Sequence, residues 1–124
     1  TSTWFQVPRT EAGRLTTNYG ALGTNLFPID KGEDSIFLDK PAFPFGGSGL
    51  VSSPRDYDRF LTMLANYGRI GRERVMGELA VRVGTGNLLP EGMTTPAMMG
   101  PPGHFGAGGR VGIGAEAGIF GWAG

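Results

Sequence analysis

Three side chains and one glycine pattern in this sequence carry chemistry worth weighing, and each depends on its neighbours. Ser48 stands in Gly46-Gly47-Ser48-Gly49-Leu50, which departs from the G-x-S-x-G nucleophile turn at its fifth place, where Leu50 replaces glycine. That turn also needs a helix at once, whereas the helical pattern here starts only after Ser53, so Ser48 reads first as a loop hydroxyl. Thr1 could use its own α-amine as a base, but nothing else in the chain supports that use, and a start within a longer polypeptide explains Thr1 better. His104 follows Pro101-Pro102-Gly103 and is the single histidine; as a general base it would need an orienting carboxylate that no spacing identifies, so a loop residue is the plainer reading. Gly112-Ile113-Gly114-Ala115-Glu116-Ala117 matches G-x-G-x-x-A. The dinucleotide fingerprint requires a helix to follow, and Gly118-Ile119-Phe120-Gly121-Trp122 is a poor helix, so no cofactor is expected. Asp30, Glu33, Asp34 and Asp39 form a scattered polar patch, not a defined acid pair.

Composition narrows the classes further. Eleven basic and eleven acidic side chains cancel and neither sign forms a run, so the electrostatic footprint of a nucleic-acid or anionic-membrane binder is missing. Without cysteine and with one histidine, neither a disulfide framework nor a metal centre is expected. No stretch approaches the roughly 20 apolar residues that span a bilayer. Glycine and proline, 23 and 9 residues of 124, make up about a quarter of the chain, near the level of low complexity. Rings at Trp4, Phe5, Phe27, Phe37, Phe43, Phe45, Phe60, Phe105, Phe120 and Trp122 argue instead for a loop-rich folded segment.

The element that must position any such chemistry is the stretch from Gly46 to Gly68. Ser53, Pro54 and Asp56 write a helix start, with a capping serine, proline at the first helical position and an S-x-x-D box. Tyr57, Phe60, Leu61 and Leu64 recur at helical spacing and predict one dry face. Gly68 is expected to supply the left-handed stop. Gly46, Gly47 and Gly49 make the entry to the helix an irregular loop.

In order along the chain, residues 1–45 read as short strands and loops. Val7 is extended before Pro8, Arg14 to Gly20 is a strand closed by turn chemistry at Asn18 to Gly20, Leu26 to Asp30 is an edge strand because of Pro28, Lys31 to Asp34 is a polar turn, and Ser35 to Leu38 is extended. Residues 46–86 hold the glycine loop and two helices, joined by a charged connector from Arg69 to Val75. The second helix covers Glu78 to Val83, with Leu79 and Val83 on its buried face, and ends at Gly84-Thr85-Gly86. Residues 87–103 form an irregular loop bearing Met93, Met98 and Met99, and residues 104–124 a β-hairpin with strands from Phe105 to Ile113 and Ile119 to Ala123. Both ends look like cuts within a longer chain, Gly124 falling inside an apolar, strand-like run.

The run from Gly46 to Phe60, continued by Met63-Leu64-Ala65-Asn66-Tyr67-Gly68, resembles the G-G-x-G-L-V-S-(S/T)-x-x-D-Y-x-R-F…M-L-x-N-x-G segment of the serine hydrolase family that contains class C β-lactamases, penicillin-binding-protein-like esterases and D-amino-acid peptidases. Other pieces agree in order. Thr3-Trp4-Phe5-Gln6-Val7-Pro8 with Ala12-Gly13-Arg14-Leu15 is similar to the stretch after the family's P-L-G-M element, Leu88-Leu89-Pro90 to the loop after its next helix, and Phe105-Gly106-Ala107-Gly108-Gly109 to its F-G-x-G-F strand. Gly118 to Gly124 resembles the strand carrying the third active-site motif, which reads W-x-G in the esterase branch.

The resemblance implies an α+β segment of a β-lactamase/DD-peptidase-like fold, incomplete on its own, from the C-terminal half of a family VIII-type carboxylesterase. The intact enzyme would hydrolyse small esters through a serine acyl-enzyme, with weak β-lactamase activity as a second capacity, and its compartment would be the bacterial cytoplasm or periplasm, the cytoplasm preferred. The family's S-x-x-K and Y-x-N motifs are not here: no serine is followed three places later by lysine, and Tyr19, Tyr57 and Tyr67 sit in other contexts. No catalytic residue is therefore assigned, and the chain alone is expected to be inactive, its partner being the N-terminal half of the same protein. The resemblance assigns substrate contact to Trp122, Ala123 and Gly124, with an oxyanion-hole N–H one residue beyond Gly124. Ala123, where the esterases often carry glycine, would narrow the pocket. Trp122 is expected to share a face with Phe120, as pocket wall or as plain core. The contrasting expectation is a non-catalytic module whose glycine-rich hairpin and methionine loop bind an apolar partner.

Overall fold

The computed structural model describes residues 1–95 and 103–122. Helices and small antiparallel sheets are mixed along the chain, an α+β composition. It divides into two compact units, Thr1–Asp58 and Arg59–Gly124.

In the first unit, Trp4 and Val51 exchange both backbone hydrogen bonds at 2.9 Å, an isolated antiparallel bridge. Further along, Val7 donates to Phe37 O at 2.8 Å and is buried, as is Leu38. Pro8 then fixes an extended entry to a 3₁₀ turn, Arg9–Arg14. This turn and the strand after it correct the expected strand from Arg14 to Gly20: β1 is Asn18–Leu22, paired with β2, Asn25–Asp30. Asn18 to Gly20 is thus strand, and the reversal lies at Gly23-Thr24, where Gly23 takes φ 60° and lets a two-residue loop match the strand twist. Pro28 sits in the ladder opposite Tyr19, next to a register shift; a two-stranded sheet has only edges, and there proline is tolerated. Phe27 folds its ring over Gly20, its partner across the ladder.

The extended piece expected from Ser35 to Leu38 is instead a 3₁₀ turn, Ile36–Leu38. Side-chain capping overrides the β-branched and aromatic pattern there. Asp30 accepts from Ser35 Oγ at 2.6 Å and from Ile36 N at 3.1 Å, and Ser35 Oγ accepts from Phe37 N at 3.2 Å. Ser35 is buried with its hydroxyl fully engaged.

The helix α1, Pro54–Ala65, leads from one unit into the next. Its start is as the sequence states: Asp56 N donates to Ser53 Oγ at 3.2 Å. The Asp56 carboxylate reaches outside the box as well, accepting from Ser2 N and from Thr3 Oγ1 at 3.0 Å. The expected dry face is not the buried one. Met63 is the buried side chain of α1, while Tyr57, Phe60 and Leu61 are exposed.

In the second unit, α1 closes with a paired hydrogen-bond motif, Gly68 N to Met63 O at 2.8 Å and Tyr67 N to Leu64 O at 3.0 Å. The first left-handed residue is Tyr67, at φ 50°, with Gly68 at φ 88° behind it, so the stop begins one residue earlier than the sequence suggests. The Arg82 guanidinium lies 3.9 Å over the Tyr67 ring and offsets the strain of that backbone. Gly68 then turns the chain into a hairpin, β3 Arg69–Ile70 and β4 Glu73–Arg74, joined at Gly71-Arg72. The charged connector is thus ordered, because Gly71 at φ 58° supplies a tight reversal. In α2, Glu78–Gly84, Val81 is the buried residue at 2% exposure, whereas Leu79 is 74% exposed; the buried face is opposite to the one expected.

Candidate functional site

Three short strands build the sheet that would carry the expected third motif. β5 is His104–Phe105, β6 Arg110–Val111 and β7 Phe120–Gly121, in the order β5-β6-β7 and antiparallel throughout. The single strand expected from Phe105 to Ile113 is therefore two strands with a turn between them, Gly106 N donating to Gly109 O at 2.8 Å. Three glycines in four residues write that turn, and the flanking apolar residues conceal it in a periodicity count. The second reversal, between β6 and β7, is where the sequence puts it, with a 3₁₀ turn at Gly114–Glu116.

The sheet is anchored to the end of α2. Ala107 N donates to Gly84 O at 2.7 Å, satisfying a terminal helix carbonyl, and Leu88 N donates to Phe105 O at 2.8 Å. Asn87 Oδ1 accepts from Leu89 N at 3.1 Å and Phe105 N at 3.4 Å. Thr95 and Gly103 bond each other, Thr95 N to Gly103 O at 2.9 Å and Gly103 N to Thr95 Oγ1 at 3.1 Å. Met93 is exposed; Met98 and Met99 lie outside the described residues.

Trp122 is the residue just past β7. Its indole meets Phe105 edge-on, with centroids 5.4 Å apart and planes at 83°, and 52% of the residue stays exposed. Its ring contact is thus across the sheet with Phe105, where alternation along a strand would pair it with Phe120. Leaving the ladder after Gly121 frees Trp122 from that alternation. Ala123 and Gly124, the other two residues of the expected motif, lie outside the described residues.

Beside the sheet is a cavity of about 610 Å³ lined by Thr94, His104, Arg110, Ile113, Glu116 and Ile119 among others. His104 Nδ1 is buried and has no hydrogen-bond partner among the described residues. The cavity therefore gathers an imidazole, a guanidinium and a carboxylate over an apolar floor, a set able to hold a small polar molecule. It offers no serine, and Thr94 is the one hydroxyl residue in its described lining. Its wall reaches Gly121, one residue short of Trp122. Arg110 and Glu116 were not singled out by the sequence, since charged residues at hairpin ends carry no spacing signal.

The remaining candidates fall elsewhere. The glycine pattern from Gly112 to Ala117 runs into the 3₁₀ turn and β7, without the helix a dinucleotide site needs. Ser48 is exposed and lies six residues before α1, with its N–H on Phe45 O at 3.2 Å, so no nucleophile turn forms around it. Thr1 is exposed, and its neighbours Ser2 and Thr3 are the ones bound to Asp56. Among the described residues no cluster of three or more histidine, cysteine or acidic side chains could hold a metal ion, and no helix is long and apolar enough to cross a membrane.

No protein-family model matches this chain, and no curated protein matches it.

Proposed function

We propose that this chain is part of a serine hydrolase of the β-lactamase-like family, the C-terminal half of a carboxylesterase that acts through an acyl-enzyme. The reading is carried by the run from Gly46 to Gly68, whose family-like spelling coincides with a glycine loop, a serine-capped helix and a left-handed stop. In this reading Trp122 presents the exposed part of its indole to the acyl or alcohol group of a small ester or β-lactam, steadied by Phe105 at its edge. Ala123 narrows the pocket and Gly124 leads to the oxyanion donor. The nucleophile, lysine and tyrosine come from the N-terminal half of the same protein.

Burial supports the same reading. Four apolar side chains are buried among the described residues, Val7, Leu38, Met63 and Val81, against twenty-two large apolar ones that are exposed. A soluble monomer rarely leaves so much apolar surface uncovered, and the other half of an esterase would cover it.

The test is labelling with a fluorophosphonate and turnover of a nitrophenyl ester, run on these 124 residues and on the product of the complete reading frame. Labelling of the longer product alone, at a serine in S-x-x-K, is the expected result. Labelling of the short chain would move the nucleophile to Ser48 or Thr1, and labelling of neither would favour an interaction module that binds an apolar partner.

A further inference from the structure

A second pocket, within residues 1–58, has a different chemistry. It is a half-open pocket of about 330 Å³, lined by Phe5, Phe37, Phe43, Phe45, Asp39 and Ser48, with Ile36 and Pro41 filling in. Four benzene rings, one carboxylate and no lysine or arginine in the lining make a wall that is electron-rich on its faces and negative at one point. We propose that this pocket binds a small organic cation, a quaternary or methylated ammonium head group.

The rings are placed by separate devices. Phe5 and Phe37 are tied by Val7 N to Phe37 O at 2.8 Å and Gln6 Nε2 to Leu38 O at 3.2 Å. Phe43 and Phe45 stand in Pro41-Ala42-Phe43-Pro44-Phe45, where Pro44 fixes its own φ and holds Phe43 before it in an extended conformation. Their centroids are 5.9 Å apart and their planes meet at 72°, an edge-to-face pair at the side of the pocket. Gly46 and Gly47 turn the chain beneath the Phe45 ring, which lies 3.1 Å from where a Cβ on Gly47 would stand, and the turn returns Ser48 to the rim. The glycine loop thus has a use of its own.

A cation is attracted to ring faces by their quadrupoles, most of all where it is partly desolvated, and methylated ammonium ions are the ones that fit aromatic cages because they have little hydration to lose. Asp39 adds a carboxylate, whose charge it shares with Arg9. Its Oδ1 pairs with Arg9 at 2.9 Å, but both side chains are exposed, 71% and 78%, and such pairs hold weakly. The second carboxylate oxygen remains for a ligand, and the Ser48 hydroxyl can accept from or donate to a polar tail. The volume is at the small end of the ~300–1,000 Å³ range of ligand pockets, a size for a head group.

The probes are choline, trimethyl-lysine and the dimethylbutanol isostere of choline in which carbon replaces nitrogen, each titrated by ligand-observed NMR against the 124-residue chain and against the product of the complete reading frame. Choline or trimethyl-lysine should bind with a dissociation constant near a millimolar and about tenfold more tightly than the neutral isostere; the tighter of the two cations identifies a free or a peptide-borne source. Asp39→Asn should weaken cation binding several-fold and leave the isostere unchanged. Phe43→Leu, at an exposed position where the fold is not at risk, should weaken the cations more than the isostere. Equal affinity for charged and neutral probes, no saturable binding of either cation at about 10 mM, or indifference to both substitutions would overturn the proposal.

Discussion

Gly68 closes two elements at once, and replacing it by alanine separates the reasons a glycine is there. Its φ of 88° is a conformation in which a Cβ costs roughly 1–2 kcal/mol. It also accepts from Val75 N at 2.8 Å and Met76 N at 3.2 Å, so the segment after the hairpin is drawn against it. A Cβ built there would overlap the Met76 carbonyl oxygen and stand 2.9 Å from its carbon, and backbone cannot rotate away as a side chain can. Overpacking of that kind adds roughly 1–3 kcal/mol, so Gly68→Ala should lose about 2–5 kcal/mol in all. Gly71 is the control. It has φ 58° with nothing within 4 Å of a built Cβ, so Gly71→Ala should lose only the roughly 1–2 kcal/mol of backbone strain. Asparagine, which tolerates the left-handed region, should recover most of that loss at Gly71 and little of it at Gly68. Urea unfolding of the four variants, monitored by circular dichroism, reads these differences as midpoint shifts. If Gly68→Ala costs no more than Gly71→Ala, or if asparagine rescues both alike, the close approach of Gly68 to Met76 is not a constraint and the reasoning fails.

Val81→Ala on α2 should destabilise by about 2 kcal/mol, whereas Leu79→Ala, on the exposed side, should stay within about 0.5 kcal/mol; equal losses in thermal unfolding would mean the buried face is misassigned. Ser53→Ala removes the acceptor for Asp56 N and should cost about 1 kcal/mol, read as faster amide exchange through Tyr57 and Asp58, and unchanged exchange there would contradict the cap. The hydrogen bond from Arg82 Nε to Glu78 raises the guanidinium pKa above its ordinary value. A base whose folded pKa is raised contributes fully below its unfolded value and loses that contribution only as pH climbs through the folded one. The effect of Arg82→Met on Tyr67 amide exchange should therefore be the same at neutral and mildly alkaline pH, and a change across that window would show that another group is responsible.

Local chemistry made parts of this fold readable. Ser53-Pro54 and Gly68 bracket α1 because capping and left-handed stops act within a few residues of where they are written. Pro28 marks an edge for the same reason. What could not be read is which apolar face points inward, and the reason is quantitative. Tyr57, Phe60 and Leu61 on α1 and Leu79 on α2 satisfy helical spacing, yet the buried residues are Met63 and Val81. Periodicity ranks faces by hydrophobicity on the assumption that the most apolar one is covered, and here the richest stripes are exposed. The turns at Gly23, Gly71 and Gly108 were harder to place than the helix caps, because glycine is too frequent in this chain to be a punctuation mark. At the candidate site, Trp122 stood out through its motif alone, while its contact with Phe105 depends on the chain leaving the ladder after Gly121, which no spacing encodes. The pocket of Phe5, Phe37, Phe43, Phe45 and Asp39 had a faint signal in the dense aromatic run before Gly46, but Phe5 joins it only through the pairing of Val7 with Phe37.

The same asymmetry bears on what holds the elements together. β3 to β7 are two residues long, well under the five or six of an ordinary strand, and a lone two-stranded hairpin is marginal in water. A helix as short as α1 is marginal too unless one face is packed. The elements are thus defined by caps, glycine turns and a few tertiary hydrogen bonds, and among the described residues the buried apolar side chains are Val7, Leu38, Met63 and Val81. Such a chain has its local choices made but lacks the apolar contact that normally stabilises them. The exposed stripes supply the means: burying a large apolar side chain is worth roughly 1.5–3 kcal/mol, so a covering surface that took up only Tyr57, Phe60, Leu61 and Leu79 would add several kcal/mol without altering any cap or turn. On the proposed reading, the faces that misled the periodicity argument are the ones on which a hydrolase's other half would act, and their exposure has the same cause as the lack of an S-x-x-K nucleophile.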